Sequence, residues 1–91
     1  MTAQVPIGVI GVGALGRHHA RHLASLFGAE LVGVYDTDAS RAAEVAAETG
    51  TTAFTDLDDL LRRVRAVTVA VPTRAHAEVG VRALEAGVAV L

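Results

Sequence analysis

The sequence predicts an α/β fold: a doubly wound parallel sheet of five strands in the order 3-2-1-4-5, flanked by helices, as one domain over residues 1–91. Three observations predict it. Apolar, β-branched runs alternate along the chain with segments of helical period, and the connections between them are short. The chain is 52% hydrophobic but only 3% aromatic, so its core is built from Ala, Val, Leu and Ile, as suits a parallel sheet covered by close-packed helices. A glycine-rich turn, Gly11-Val12-Gly13-Ala14-Leu15-Gly16, joins the first apolar run to the first helical segment. Right-handed crossovers then give the stated strand order, with a switch point between the first and fourth strands.

Val5, Ile7, Val9 and Ile10 make the first strand. The first helix follows the glycine turn and reaches Phe27, with Leu15, Leu23, Leu26 and Phe27 on one face and Arg17, Arg21 and Ser25 on the other; Gly28 closes it as a left-handed cap. On a helical projection His19 falls in the middle of the apolar face, with His18 and His22 toward its edge. The second strand runs from about Glu30 to Tyr35 and delivers Asp36 to its C-terminal end. Asp38 or Thr37 caps a helix from Ala39, whose small-sided face of Ala42, Val45, Ala46 and Thr49 stops at Gly50. Thr52, Ala53 and Phe54 form a short third strand.

Thr55-Asp56-Leu57-Asp58 has the capping-box pattern and opens a helix with Leu57, Leu60, Leu61 and Val64 at helical spacing. Its acids gather in the first turn and Arg62, Arg63 and Arg65 in the last, both complementing the macrodipole. Ala66 to Val71 is a central buried strand ended by Pro72. A fourth helix from Thr73 or Arg74 carries Ala77, Val81 and Leu84 to a stop at Gly87, and Val88 to Leu91 start the fifth strand.

The glycine turn has the spacing of a dinucleotide-binding loop. Gly11 permits the tight turn, Gly13 lets backbone approach a pyrophosphate, and Gly16 lets the helix pack close to the strand. Ala14 and Leu15 open the helix, whose free N–H groups and positive dipole end suit phosphates. Asp36, 20 residues past Gly16, sits where a carboxylate accepts from the adenosine ribose hydroxyls, although an acid after a strand can also simply cap the next helix. Thr37 belongs to the same turn. A carboxylate there repels a 2′-phosphate and favours NAD over NADP; Arg41, five residues on, either offsets part of that repulsion or is a solvated helix charge. The switch point places Val71, Pro72 and Thr73 opposite the glycine loop across the cofactor crevice.

Other chemistries are poorly served. A net charge of −2 gives no basic footprint for nucleic acid. The absence of cysteine excludes disulfides, thiolate nucleophiles and Cys-type zinc sites. His18 and His22 form an i,i+4 pair, but no acid lies nearby in sequence and a helix N-terminus disfavours a cation, so no metal site is expected. His19 is expected as a buried, hydrogen-bonded histidine beneath the glycine loop. Asp56, Asp58 and Asp59 are better explained by capping than by carboxylate chemistry. No apolar run reaches the roughly 18 residues that span a bilayer, and no signal peptide is evident, so a soluble cytoplasmic protein is expected. All eight basic residues besides histidine are arginines. No catalytic residue can be assigned within the chain.

The glycine loop followed by Arg17 and His19, the acid Asp36, the turn Val71-Pro72-Thr73-Arg74-Ala75-His76, and Ala83-Leu84-Glu85-Ala86-Gly87 before the last strand together resemble the N-terminal Rossmann domain of the Gfo/Idh/MocA oxidoreductases. The resemblance runs over essentially the whole chain. It implies that the Pro72-Thr73 turn packs along the nicotinamide ribose and that His76 lies near cofactor or substrate, though His76 also reads as an ordinary surface residue. It further implies hydride transfer between NAD and a secondary alcohol of a sugar, cyclitol or nucleotide sugar. In the family a lysine of a Glu-Lys-Pro segment after the fifth strand moves the proton, and a C-terminal domain supplies the substrate pocket and most oligomer contacts. The chain is accordingly expected to be the cofactor half of a longer, homo-oligomeric enzyme, inactive alone. A non-catalytic dinucleotide-sensing or regulatory module is the alternative, and S-adenosylmethionine binding a more distant one.

Overall fold

The computed structural model describes residues 4–91, apart from the side chain of Thr73. Nine elements alternate as expected: β1 (Val5–Ile10), α1 (Ala14–Ser25), β2 (Ala29–Tyr35), α2 (Ala39–Thr49), β3 (Thr52–Phe54), α3 (Leu57–Leu61), β4 (Ala66–Val69), α4 (Thr73–Glu85) and β5 (Ala89–Val90). The strands form one five-stranded sheet in the order β3-β2-β1-β4-β5, with every adjacent pair parallel.

Two apolar cores lie against the sheet. Ile7, Val9, Val12, Val34 and Ala66 meet Ala20 and Leu23 of α1 and Ala42, Val45 and Ala46 of α2 on one face. On the other, Ile10, Val67 and Val88 meet Leu57, Leu60 and Leu61 of α3 and Val79 and Ala83 of α4. Small helix faces let the backbones approach, which is why an Ala- and Val-rich chain fills this fold without aromatic bulk. The register between β1 and β2 slips by one residue between Ile7 and Gly8, so Ile7 faces Leu31 while Gly8 faces Gly33. Leu31 and Val34 therefore pack on the same side, and Val32 and Tyr35 on the other.

Several element ends differ from the expected ones. Helix α1 stops at Ser25 with Leu26 as an extended cap, and Gly28, at φ 90°, serves the following turn, where its carbonyl accepts from Val5 N–H. Leu15, Leu26 and Phe27 are exposed, Phe27 by 90%, because the helix meets the sheet through Gly16, Ala20 and Leu23 instead. In α3 the cap is Asp56, not Thr55: Asp56 is the extended residue, and its carboxylate accepts from Asp58 N–H at 3.2 Å. That helix ends at Leu61, leaving Arg62 and Arg63 beyond it, where both pair with Asp59. Arg65 leads into β4, its N–H bonded to Pro6 O.

Strand β4 ends at Val69 rather than Val71, although Ala70 N–H still reaches Ile10 O at 2.8 Å. Helix α4 docks through Val79 and Ala83, four residues apart. Ala77, Val81 and Leu84, the expected face, point away; Leu84 is 68% exposed. Val88 is buried just before β5, and Leu91 after it is exposed. Helix α2 follows expectation, capped by Asp38 and closed by Gly50 in the left-handed region.

Candidate functional site

A crevice of about 600 Å³ opens at the C-terminal ends of β1, β2 and β4. Its walls bring together Gly11, Gly13, Asp36, Thr37, Val71 and Pro72, six of the residues singled out in the sequence. This is the switch point, where β1 neighbours both β2 and β4 and the loops leave in opposite directions.

The glycine loop is shaped by contacts that only hydrogen tolerates. Gly11 has φ +87°, and a Cβ there would sit 2.5 Å from Ala70 O. A Cβ on Gly16 would run into the carbonyl of Gly11, so α1 begins directly against its own entry loop. Gly13 is different: its Cβ direction meets nothing nearer than Arg41 Nη1 at 4.0 Å. The space in front of Gly13 is open to a ligand.

Capping follows the same division. Asp38 and Asp56 cap α2 and α3 with side-chain carboxylates. At the crevice, Gly13 is the N-cap of α1 and Pro72 that of α4, and no side chain caps either helix among the described residues. Two helix N-termini thus present uncapped N–H groups beside one cavity.

Asp36 anchors the other wall. Its Oδ2 accepts from Val12 N–H at 2.9 Å and its Oδ1 from Asp38 N–H at 2.8 Å, with the side chain only 9% exposed. A carboxylate offers about four acceptor positions, so each oxygen retains one for a ligand hydroxyl. Arg41 Nη1 stands 3.9 Å from Oδ2.

The remaining expected residues fall unevenly. Ala14 lines an adjoining hollow of about 310 Å³ with Val12, Gly13, Arg17 and Arg41. Leu15 is 60% exposed on α1, and only its backbone belongs to the loop. Thr73 opens α4, but its side chain lies outside the described residues. His76 is exposed on α4 and does not line the crevice. His19 is half-buried, not buried and hydrogen-bonded as expected: its Nδ1 is enclosed without a partner among the described residues. The apolar wall from Ile10, Tyr35, Ala70, Ala75 and Val79 was not singled out in the sequence, since each of these residues also reads as ordinary strand or helix core.

These features fit a dinucleotide. An open approach at Gly13 and uncapped N–H groups suit a diphosphate, and a carboxylate at the end of β2 suits ribose hydroxyls. No helix is long and apolar enough to cross a membrane among the described residues.

Comparison with known proteins agrees. The family model for an oxidoreductase family with an NAD-binding Rossmann fold, Gfo/Idh/MocA, matches residues 5–91. The chain is 51% identical over 81 residues to UDP-N-acetylglucosamine 3-dehydrogenase of Acidithiobacillus ferrooxidans, covering 89% of this chain and 25% of that protein. It is 38% identical to inositol 2-dehydrogenase of Corynebacterium glutamicum, covering 100% of this chain and 28% of that one. The solved structure of myo-inositol dehydrogenase from Lactobacillus casei in complex with NAD(H) and myo-inositol superposes with a TM-score of 0.87 at 33% identity, over 96% of this chain and 27% of that one. The chain thus spans about a quarter of the length of the relatives it matches.

Proposed function

Because the chain belongs to the Gfo/Idh/MocA oxidoreductases and carries their NAD-binding Rossmann fold, we propose that it is the cofactor-holding part of a dehydrogenase acting on a secondary alcohol of a sugar, cyclitol or nucleotide sugar. The observation that carries this reading is the convergence of the open Gly13 approach, the uncapped start of α1 and the Asp36 carboxylate on one crevice.

Bound NAD supplies a hydride acceptor; the chain's own residues hold and orient it. The backbone N–H groups of Ala14 and Leu15 would take the diphosphate, with Gly11 and Gly16 setting the loop's shape. Asp36 and Thr37 would hold the adenosine ribose. Val71 and Pro72, with the α4 start at Thr73, would border the nicotinamide half, and Val79 belongs to the same apolar wall. His76, one turn into α4, stands toward the substrate side in this reading. The proton that leaves the alcohol goes, in the family resemblance, to a lysine; the chain contains none, so in this reading that group belongs to a further domain that also holds the substrate and forms the contacts of a homo-oligomer.

Titration of the 91-residue chain with NAD by calorimetry, followed by turnover assays with inositol, glucose and UDP-N-acetylglucosamine, tests the division of labour. The expected result is NAD binding without turnover. Turnover by the chain alone, or no NAD binding at all, overturns it.

A further inference from the structure

Arg82 of α4 donates from Nη2 to Asp58 Oδ1 of α3 at 2.6 Å, which turns one flank of α4 toward α3. Arg74, Glu78 and Glu85 share that flank at helical spacing. The opposite flank carries Ala77, Gly80, Val81 and Leu84, and no Arg, Asp or Glu. Because α4 docks over β4 and β5 through Val79 and Ala83, this uncharged flank runs along the β5 margin of the sheet. Val81 is 53% and Leu84 68% exposed, and a Cβ on Gly80 would meet nothing within 4 Å.

Strand β5 is the last of the sheet and pairs only with β4 among the described residues. Ala89 N–H and Leu91 N–H bond to Arg65 O and Val67 O at 3.0 and 2.9 Å, so the intervening Val90 turns its own N–H and C=O outward. One donor and one acceptor on a single residue are complementary to themselves. Across a two-fold axis, Val90 of two chains forms a closely spaced pair of antiparallel ladder bonds.

The helix flank is self-complementary about the same axis. Val88 N–H bonds to Ala83 O at 2.8 Å, and Val90 lies roughly 7 Å further along the strand, about four residues back along α4. The axis therefore passes level with Gly80 and Val81. Ala77 of each chain then stands opposite Leu84 of the other, small against large. At ordinary strand spacing, with each α4 set between β4 and β5, the two helix axes are roughly 10 Å apart, within the range of packed helices.

We propose that the β5 edge and this flank of α4 form a two-fold interface with a second copy of the chain, joining two five-stranded sheets edge to edge. The uncharged flank brings no like charges together across the axis. The antiparallel arrangement sets the two crevices at opposite ends of the joined sheet, so neither is covered. The proposal does not rest on what the crevice binds.

Sedimentation velocity of the 91-residue chain over a concentration series tests this. The wild type is expected to reach half dimer near about 100 μM, as suits a small interface. Leu84→Glu changes an exposed side chain and is expected to weaken association about tenfold or more, because it sets a carboxylate in the contact from each copy. Adding Ala77→Arg to it is expected to restore association, since the register sets Ala77 of one chain against Leu84 of the other. Phe27→Ser removes a side chain that is 90% exposed before β2, and is expected to change nothing. A wild type that stays monomeric to about 1 mM overturns the proposal and leaves the edge to another occupant. A dimer that survives Leu84→Glu, one that Phe27→Ser dissolves, or a double variant that fails to recover overturns it as well.

Discussion

Asp36 Oδ2 accepts a hydrogen bond from the backbone N–H of Val12 at 2.9 Å, joining the end of β2 to the middle of the glycine loop. The expected ribose-binding acid is therefore also a structural tie between two strands' exit loops. Asp36→Ala strands a backbone N–H in a part-buried setting, and its unfolding free energy should fall by about 1–3 kcal/mol. NAD affinity should fall as well. Asp36→Asn keeps one acceptor and should recover part of the stability. Denaturant titrations of the three proteins check this, and an Ala variant as stable as wild type would mean that the tie contributes nothing.

Gly11 and Gly13 should separate folding from binding. Gly11→Ala places a Cβ at φ +87° and 2.5 Å from Ala70 O, and should destabilise by about 2 kcal/mol or more. Gly13→Ala has an ordinary φ of −67° and open space, so thermal unfolding should be unchanged or slightly later. Its NAD affinity should nevertheless drop, because the methyl occupies the ligand's approach. Retained NAD affinity in Gly13→Ala would move the diphosphate elsewhere.

Gly33→Ala should destabilise without touching the crevice. A Cβ there collides with the ring of Phe54 and lies 2.9 Å from Thr52 O on the paired strand. Overpacking of this kind costs about 1–3 kcal/mol. NAD affinity of the folded fraction should stay within error, and a parallel loss of binding would show that β3 supports the site.

The ion pairs that strap α1 to α2 give a pH signature. Hydrogen bonding from Arg21 holds the Glu48 carboxyl below its ordinary value. A carboxyl lowered on folding contributes stability that is present above its unfolded value and disappears as pH falls through the folded one. Glu48→Gln should therefore unfold slightly earlier than wild type near neutral pH, and the gap should close in strong acid. The pair is exposed, so the difference is small. Thermal scans at about pH 7 and about pH 2 compare the two proteins; a gap that persists in acid would trace to something other than the ion pair.

Strand order, the glycine turn and the position of Asp36 were legible in the sequence because each rests on local chemistry: β-branched runs, positive-φ glycine and a strand end. What was not legible depends on how elements meet. The face of α4 was misassigned because Ala77, Val81 and Leu84 repeat at helical spacing and include the helix's one leucine, yet the helix docks through Val79 and Ala83, four residues apart. Leu26 and Phe27 looked like helix core and instead lie past the last residue that reaches the sheet. The slip between Ile7 and Gly8 had only Gly33 to announce it. Strict alternation from Leu31 would send Val34 to the opposite core. The slip returns Val34, and with it the side of the chain that carries Asp36, to the face of Val12.

The uneven capping of the helices has a thermodynamic consequence. Among the described residues the domain closes α2 and α3 with its own carboxylates, while no side chain caps the starts of α1 and α4 beside the crevice. Part of its folding free energy is thereby held by the nucleotide pool: at a free cofactor concentration 100 times the dissociation constant, the bound form gains about 2.7 kcal/mol over the empty one. Dilution of the cofactor would then shorten the life of the folded chain before it limited any reaction.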